Sequence, residues 1–224
     1  MKQDCGWFLP DNEEHLQVWM RRMKQVTHGG RLGYQLHKYH AAMKYVKSRN
    51  MAVDIGAHIG LWTWPMAHDF SRVMAFEPMP AHRECWDSNI APYFPAGQVI
   101  MNPVALGEEK GIAHILTRTA DSSGDTGIDL DGNGTEVVMC RLDAYNLADV
   151  DFIKIDCEGY ELFVLRGAID TLERCHPCVI VEQKPETGGA DRYGIGVTDA
   201  VDFLIGLGAK KREGIQGDYI LSWD

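Results

Sequence analysis

This sequence predicts an α/β fold with a mostly parallel central sheet, helices on both faces and an antiparallel C-terminal strand. Three observations carry that expectation. Short apolar runs such as MAVDI (51–55), DFIKID (151–156) and CVIVEQ (178–183) alternate with stretches of helical spacing, the pattern of a parallel sheet covered by helices. The chain closes on AKKREG and DYILSW, which read as two strands joined by a glycine turn. Acids collect where the apolar runs end, at Asp54, Glu77, Asp156 and Glu182, and such sheets bind ligands at the carboxyl ends of their strands.

Two helices come first. Asp11 followed by Glu14 has the spacing of a capping box, and the helix it opens is expected to reach about Thr27. Gly29, Gly30 and Gly33 then interrupt the chain. From about Gln35 to Ser48, Leu36, Tyr39, Met43 and Val46 recur at helical spacing, which leaves His37, Lys38 and Lys44 for the other faces. From Asn50 the pattern alternates. MAVDI precedes a glycine-containing turn and a helix expected over Leu61–His68. RVMAFE (72–77) leads to a helix from about Pro80 to Asn89, and QVIMNPVAL (98–106) contains the third strand. Segments 111–116 and 136–142 have the pattern of a hairpin around a polar loop. DFIKID feeds a helix expected from Gly159 towards Arg174, and CVIVEQ one near Thr198–Leu207. Residues 1–49 are thus read as a helical extension and 50–224 as one α/β domain, in keeping with a length of 224 residues.

The six cysteines are scattered, no apolar segment is long enough to span a membrane, and the N-terminus lacks the apolar core of a secretory signal. A reduced, cytoplasmic protein is expected. A net charge of −10 argues against general nucleic-acid binding. The charge is uneven: Arg21 to Arg49 carries eight Lys/Arg and no acid, while the remainder has 14 bases against 32 acids.

The strand ends carry the chemistry. VDIGAHIG spaces Asp54, Gly56 and Gly60 as D-x-G-x-x-x-G. Its glycines permit close approach to a ligand, and the helix N-terminus beyond offers free N–H groups. The acid stands where a dinucleotide fingerprint has its first glycine. A pyrophosphate is repelled there, whereas the ammonium of S-adenosylmethionine is suited. Glu77 ends the second strand and can accept from ribose hydroxyls, and Asn102 to Leu106 can flank an adenine. In DFIKIDCEGYE, Phe152, Lys154 and Asp156 share one strand face and Ile153 and Ile155 the other. Lys154 therefore has Asp156 and Glu182 as candidate partners, and Asp156 and Glu158 precede a helix whose dipole favours anions.

VDIGAHIG, AFEP, VALG, DFIKIDCEGYE with LRGA, and VIVE occur here in the order that resembles the FkbM-type methyltransferases, over about residues 50–183. The resemblance implies a Rossmann-like class I methyltransferase fold, S-adenosylmethionine as cofactor, and O-methylation of sugars, glycans or other small metabolites. It places Asp54, Gly56 and Gly60 along the methionine part of the cofactor, and Ala57 and His58 of the same turn are counted with them as cofactor-binding candidates. Glu77 falls at the ribose and Asp156 at the transfer position; Pro78 beside Glu77, and Asn102, Val104 and Ala105 from the stretch read as flanking the adenine, are further cofactor-binding candidates. His58 stands where many relatives have Asn.

Methyl transfer to a hydroxyl needs a base. Asp156 is the first candidate and Glu158 the second, with Lys154 to orient them. Other signals are set aside. Cys175-His176-Pro177-Cys178 lacks the second ligand pair of a zinc site, and Asp129-x-Asp131-x-Asn133-Gly134 has Cys140 where a calcium loop needs Glu. Acids at Asp156 and Glu182 leave open a metal-assisted transferase of catechol type, although Lys154 can neutralise them without metal. A nicotinamide-dependent dehydrogenase, lacking its glycine fingerprint, and a cofactor-binding protein without catalysis are the remaining alternatives. The basic extension is expected to lie across the strand ends as a lid, and an anionic acceptor is the corresponding expectation.

Overall fold

Three of the central strands are apolar nearly end to end, so they must be covered on both faces. The computed structural model describes residues 1–22, 27–183 and 190–223. In chain order, β1 (Lys2–Asp4) and β2 (Trp7–Leu9) form a hairpin, followed by α1 (His15–Arg22). A second hairpin, β3 (Thr27–His28) with β4 (Arg31–Leu32), precedes α2 (Leu36–Ala42). Then come β5 (Met51–Ile55), α3 (Thr63–Asp69), β6 (Arg72–Phe76), α4 (Pro80–Ile90) and β7 (Val99–Asn102). An insertion supplies β8 (Ala105–Leu106), β9 (Gly111–Thr117), β10 (Thr126–Asp129) and β11 (Thr135–Cys140). The chain returns with β12 (Val150–Ile155), α5 (Glu161–Arg166), α6 (Ile169–Cys175), β13 (Cys178–Glu182), α7 (Asp199–Gly206), β14 (Lys210–Ile215) and β15 (Asp218–Ser222).

The central sheet has the order β14-β15-β13-β12-β5-β6-β7, with β15 antiparallel to both neighbours. Gln216 and Gly217, at φ 51° and 86°, make the two-residue turn between β14 and β15, the left-handed pair that matches strand twist. The order reverses between β5 and β12, which puts the ligand crevice at their carboxyl ends. The two-residue alternation assigns each strand to two cores. Val53, Ile55, Ile153, Ile155, Val179 and Val181 face the layer of α5, α6 and α7. Ala52, Phe152, Cys178 and Ile180 face Leu36, Tyr39, Met66 and Phe70 on the other side. Each of the larger side chains contributes about 1.5–3 kcal/mol by its burial.

The differences from expectation are local. The first helix starts at His15, and Glu13 Oε1, not the Asp11 side chain, accepts from the Leu16 N–H at 2.7 Å. The helix does not reach Thr27, which already begins β3; residues 23–26 lie outside the described residues. The second helix stops at Ala42, and 3₁₀-type bonds from Lys44 and Tyr45 tighten its end. The 159–174 helix is two helices, because Gly167 packs so closely that a Cβ there would stand 2.0 Å from the Gly107 carbonyl oxygen. Ala105–Leu106 leaves the central sheet for a second one, β10-β9-β11-β8, and the polar loop between β9 and β11 contains β10.

The extension is bolted to the core by its basic residues. Lys38, 2% exposed, pairs with Asp218 inside the protein. Lys44 lies 3.4 Å from Glu213, Arg49 3.2 Å from Asp69, and Lys47 donates to the Trp223 carbonyl at 2.8 Å. The Arg31 guanidinium sits 4.4 to 4.6 Å from the ring centres of Trp64, Tyr93 and Trp7, a desolvated cation–π arrangement. Lys38 is therefore buried rather than part of an open basic roof, whereas Lys44 remains 63% exposed.

Candidate functional site

At the switch point β5 and β12 run in register, with Lys154 opposite Asp54. Asp54 is fully buried: its Oδ2 accepts from Thr63 Oγ1 at 2.6 Å, and its Oδ1 lies 3.8 Å from Lys154 Nζ. Burial pushes the Asp54 carboxyl up, against the pull of Lys154 and Thr63. Lys154 donates to the Gly56 carbonyl at 2.8 Å and lies 3.5 Å from Asp156 Oδ2. Burial opposes its charge, but Asp156 and Asp54 outweigh burial and hold the amine above the ordinary lysine value. The sequence offered Asp156 and Glu182 as its partners; the closest pairs are Asp156 and Asp54, on its own strand and on the other neighbour.

The turn after β5 approaches the end of β12 so closely that a Cβ on Gly56, at φ 73°, would stand 2.0 Å from the Asp156 carbonyl oxygen. His58 follows at φ 52°, a left-handed conformation uncommon for a residue with a side chain. Its N–H donates to Glu77 Oε2 at 2.8 Å. Glu77 Oε1 accepts from the Met79 N–H at 2.8 Å and from His82 Nδ1 at 3.2 Å. Burial works to raise the Glu77 carboxyl, but His82 and the two N–H groups outweigh it and keep it below its usual value. Three donors on a carboxylate with about four acceptor directions leave capacity for one further hydroxyl.

Beyond β12, Asp156, Glu158 and Glu182 bring carboxylate oxygens within 4.8 Å of one another. Glu158 is left-handed at φ 52°, and the loop that carries it is tied down by Glu161, whose Oε1 accepts from the N–H groups of Cys157 at 2.8 Å and Gly159 at 3.1 Å. Burial pushes the Glu161 carboxyl up to about 7.

These groups border a cavity of about 750 Å³, in the upper part of the roughly 300–1,000 Å³ range of small-molecule sites. Gly56, Ala57, His58, Glu77 and Pro78 line one side, with Val104 and Ala105 beside them. Lys154, Asp156 and Glu158 line the cavity as well. Asp54 and Gly60 are not among the lining residues; neither is Asn102, whose amide donates to the Ala75 carbonyl at 3.2 Å. The far wall comes from α1 with His15, Leu16 and Trp19, from Tyr34, Gln35, His37 and Lys38, and from residues 122–128 of the insertion. Sequence reasoning assigned no role to Glu13, His82, Ser123 or Glu161. Only Glu161 carried a signal, as the second acid of the Glu-Gly-x-Glu motif.

A family model described as the methyltransferase FkbM domain matches residues 54–203. Among solved structures, methyltransferase FkbM from Methylobacillus flagellatus KT is similar with a TM-score of 0.54 at 17% identity, over 79% of this chain and 44% of that one. The chain thus spans less than half of that relative. Precorrin-6y C5,15-methyltransferase from Geobacter metallireducens GS-15 has a TM-score of 0.50 at 14% identity, over 88% and 93% of the two chains. At these identities the likeness is one of fold, the class I methyltransferase fold. No curated protein matches the sequence at a significant level. Among the described residues no helix is long and apolar enough to cross a membrane.

Proposed function

The chain belongs to the FkbM methyltransferase family and its cofactor is S-adenosylmethionine, and from that premise we propose that it methylates a hydroxyl of a sugar, glycan or other small metabolite with Asp156 as proton acceptor. The observation that carries this reading is the Asp156 carboxylate, which lines the cavity at the switch point, 27% exposed and 3.5 Å from Lys154. The residues present fit the cofactor. Gly56 lets the turn close onto the end of β12 and lines the cavity, Glu77 retains room for one ribose hydroxyl, and Val104 and Ala105 offer a surface for the adenine.

When bound, the cofactor supplies a sulfonium methyl for in-line attack by the acceptor oxygen, with S-adenosylhomocysteine as the product. Asp156 takes the hydroxyl proton as the O–C bond forms, a contribution of typically 10²–10⁴-fold for a positioned base. Lys154 fixes the carboxylate, and the Gly56 carbonyl fixes Lys154. Glu158 is the second candidate for the proton. The extension walls the cavity at His15, Trp19, Tyr34, Gln35, His37 and Lys38, which supports its role as a lid. An anionic acceptor has little support here, since Lys38 is paired with buried Asp218 and Lys44 does not line the cavity.

One observation favours a second reading: oxygens of Asp156, Glu158 and Glu182 within 4.8 Å of one another could serve a hard cation. Tritiated methyl transfer into defined sugars and a metabolite extract tests both. Label in a hydroxyl, lost in Asp156→Asn but unaffected by chelator, supports the base. Loss on chelation, restored by magnesium, moves the chemistry to a metal. Label on carbon or nitrogen alone overturns the hydroxyl reading.

A further inference from the structure

The extension reaches the cofactor seat through one continuous chain of contacts. Glu13 is fully buried, and its carboxylate has two jobs. Oε1 closes the first turn of α1 through the Leu16 N–H. Oε2 plays no part in that helix; it accepts from the Ser123 N–H at 2.7 Å and from the Ser123 hydroxyl. Ser123, 2% exposed, lies 2.7 Å through its Oγ from His58 Nε2. A serine has one hydroxyl proton, and here a carboxylate takes it. The His58–Ser123 bond therefore requires His58 to donate, with the proton on Nε2. Burial first, then His82 and Lys154, hold the His58 ring well below the usual imidazole value, so a single ring proton is what the environment favours.

His58 is also the left-handed residue whose N–H meets Glu77 Oε2, and its ring stands edge-on to His82, centroids 4.3 Å apart, which holds the other Glu77 oxygen. A non-glycine residue persists in that conformation only when its surroundings over-determine it. Here those surroundings include a residue from outside the family domain, since the match begins at residue 54 and Glu13 belongs to the extension. The same segment is fastened to the insertion by Asn12 Nδ2 to the Ala120 carbonyl at 2.7 Å and by the Glu14 and His15 N–H groups to the Asp121 carbonyl at 3.0 and 3.3 Å.

We propose that Glu13 is a positioning residue for the cofactor: through Ser123 it fixes His58, and through His58 it fixes Glu77, so that docking of the extension and occupation of the cofactor seat strengthen one another. The inference rests on reading Glu77 and His58 as facing the cofactor. Coupling of this kind is reciprocal by linkage and typically amounts to about 5- to 150-fold.

The test is calorimetric titration of the full chain with S-adenosylhomocysteine, alongside amide hydrogen exchange. Ser123→Ala and Glu13→Gln should each weaken binding by about 5-fold or more, and the double variant should lose no more than the worse single one. In the unaltered protein, ligand should slow exchange at the Leu16 and Ser123 amides, a readout that needs no variant to fold. Nitrogen shifts should place the His58 proton on Nε2, and Ser123→Ala should abolish that preference. Unchanged affinity in both variants together with ligand-insensitive exchange overturns the coupling, as do losses that simply add. Glu77→Ala separates the two layers. If it weakens binding while the other variants do not, only the coupling fails; if it has no effect, the cofactor reading of this seat fails with it.

Discussion

Glu161 is expected to make the folded protein less stable as pH rises from about 4.5 to about 7. Its carboxyl is 1% exposed and accepts two backbone N–H groups, and burial raises it from an ordinary 4.5 to about 7. Between those values the folded chain holds a proton that the unfolded chain has released. Stability therefore falls with pH over that window and is constant, for this group, below and above it. At 1.36 kcal/mol per pH unit the rise corresponds to about 3 kcal/mol. Glu161→Gln keeps the shape and an acceptor oxygen but cannot ionise. Urea unfolding of both proteins at half-unit steps from pH 4.5 to 8.5 isolates the group, since every other titration appears in both curves and cancels in their difference. The variant should gain roughly 3 kcal/mol on the native protein between the two ends, whatever constant offset the buried amide brings. Parallel curves would refute the reasoning, and so would a gain on the acid side.

Three further outcomes are expected. Asp156→Asn should lower turnover by roughly 10²-fold or more while calorimetry shows cofactor affinity nearly unchanged; equal losses in both would make Asp156 a cofactor ligand. Glu77→Ala should weaken cofactor binding by about 1–3 kcal/mol, because it removes a charged acceptor and frees the donors of His58, Met79 and His82. Lys38→Met should cost about 3–5 kcal/mol in urea unfolding by taking the cation from a buried pair with Asp218; a loss below 1 kcal/mol would show that the pair does not fasten the extension.

The fold was legible where the physics is local. MAVDI, DFIKID and CVIVEQ are apolar because both faces of β5, β12 and β13 are covered, and that requirement shows in the residues themselves. The N-terminal hairpin was not legible. Its strands have three residues each, and what fixes β2 is Asn89, which exchanges two bonds with the Phe8 backbone at 2.8 and 2.9 Å from 81 positions away. Helix periodicity located α2 but misjudged its polar side. Lys38 belongs to the buried face because Asp218, 180 residues later, stands at the start of β15 to receive it.

The same division runs through the site. Alternation along β12 was enough to put Lys154 and Asp156 on one side, and the strand-end rule was enough to put Asp54, Glu77 and Glu182 near them. Register was out of reach, and register decides the chemistry. Because Lys154 lies opposite Asp54, the acid expected beside the cofactor takes Thr63 on Oδ2 and keeps Oδ1 3.8 Å from the lysine. A lysine that faced only Asp156 could swing away with it. One that also donates to the Gly56 carbonyl and lies against Asp54 is fixed from below, so Asp156 meets an immobile cation. That accounts for a lysine in an apolar strand with acids at its end. The charges deep in the sheet neutralise one another, and the carboxylate beyond the strand end remains partly exposed and held in one place where it lines the cavity.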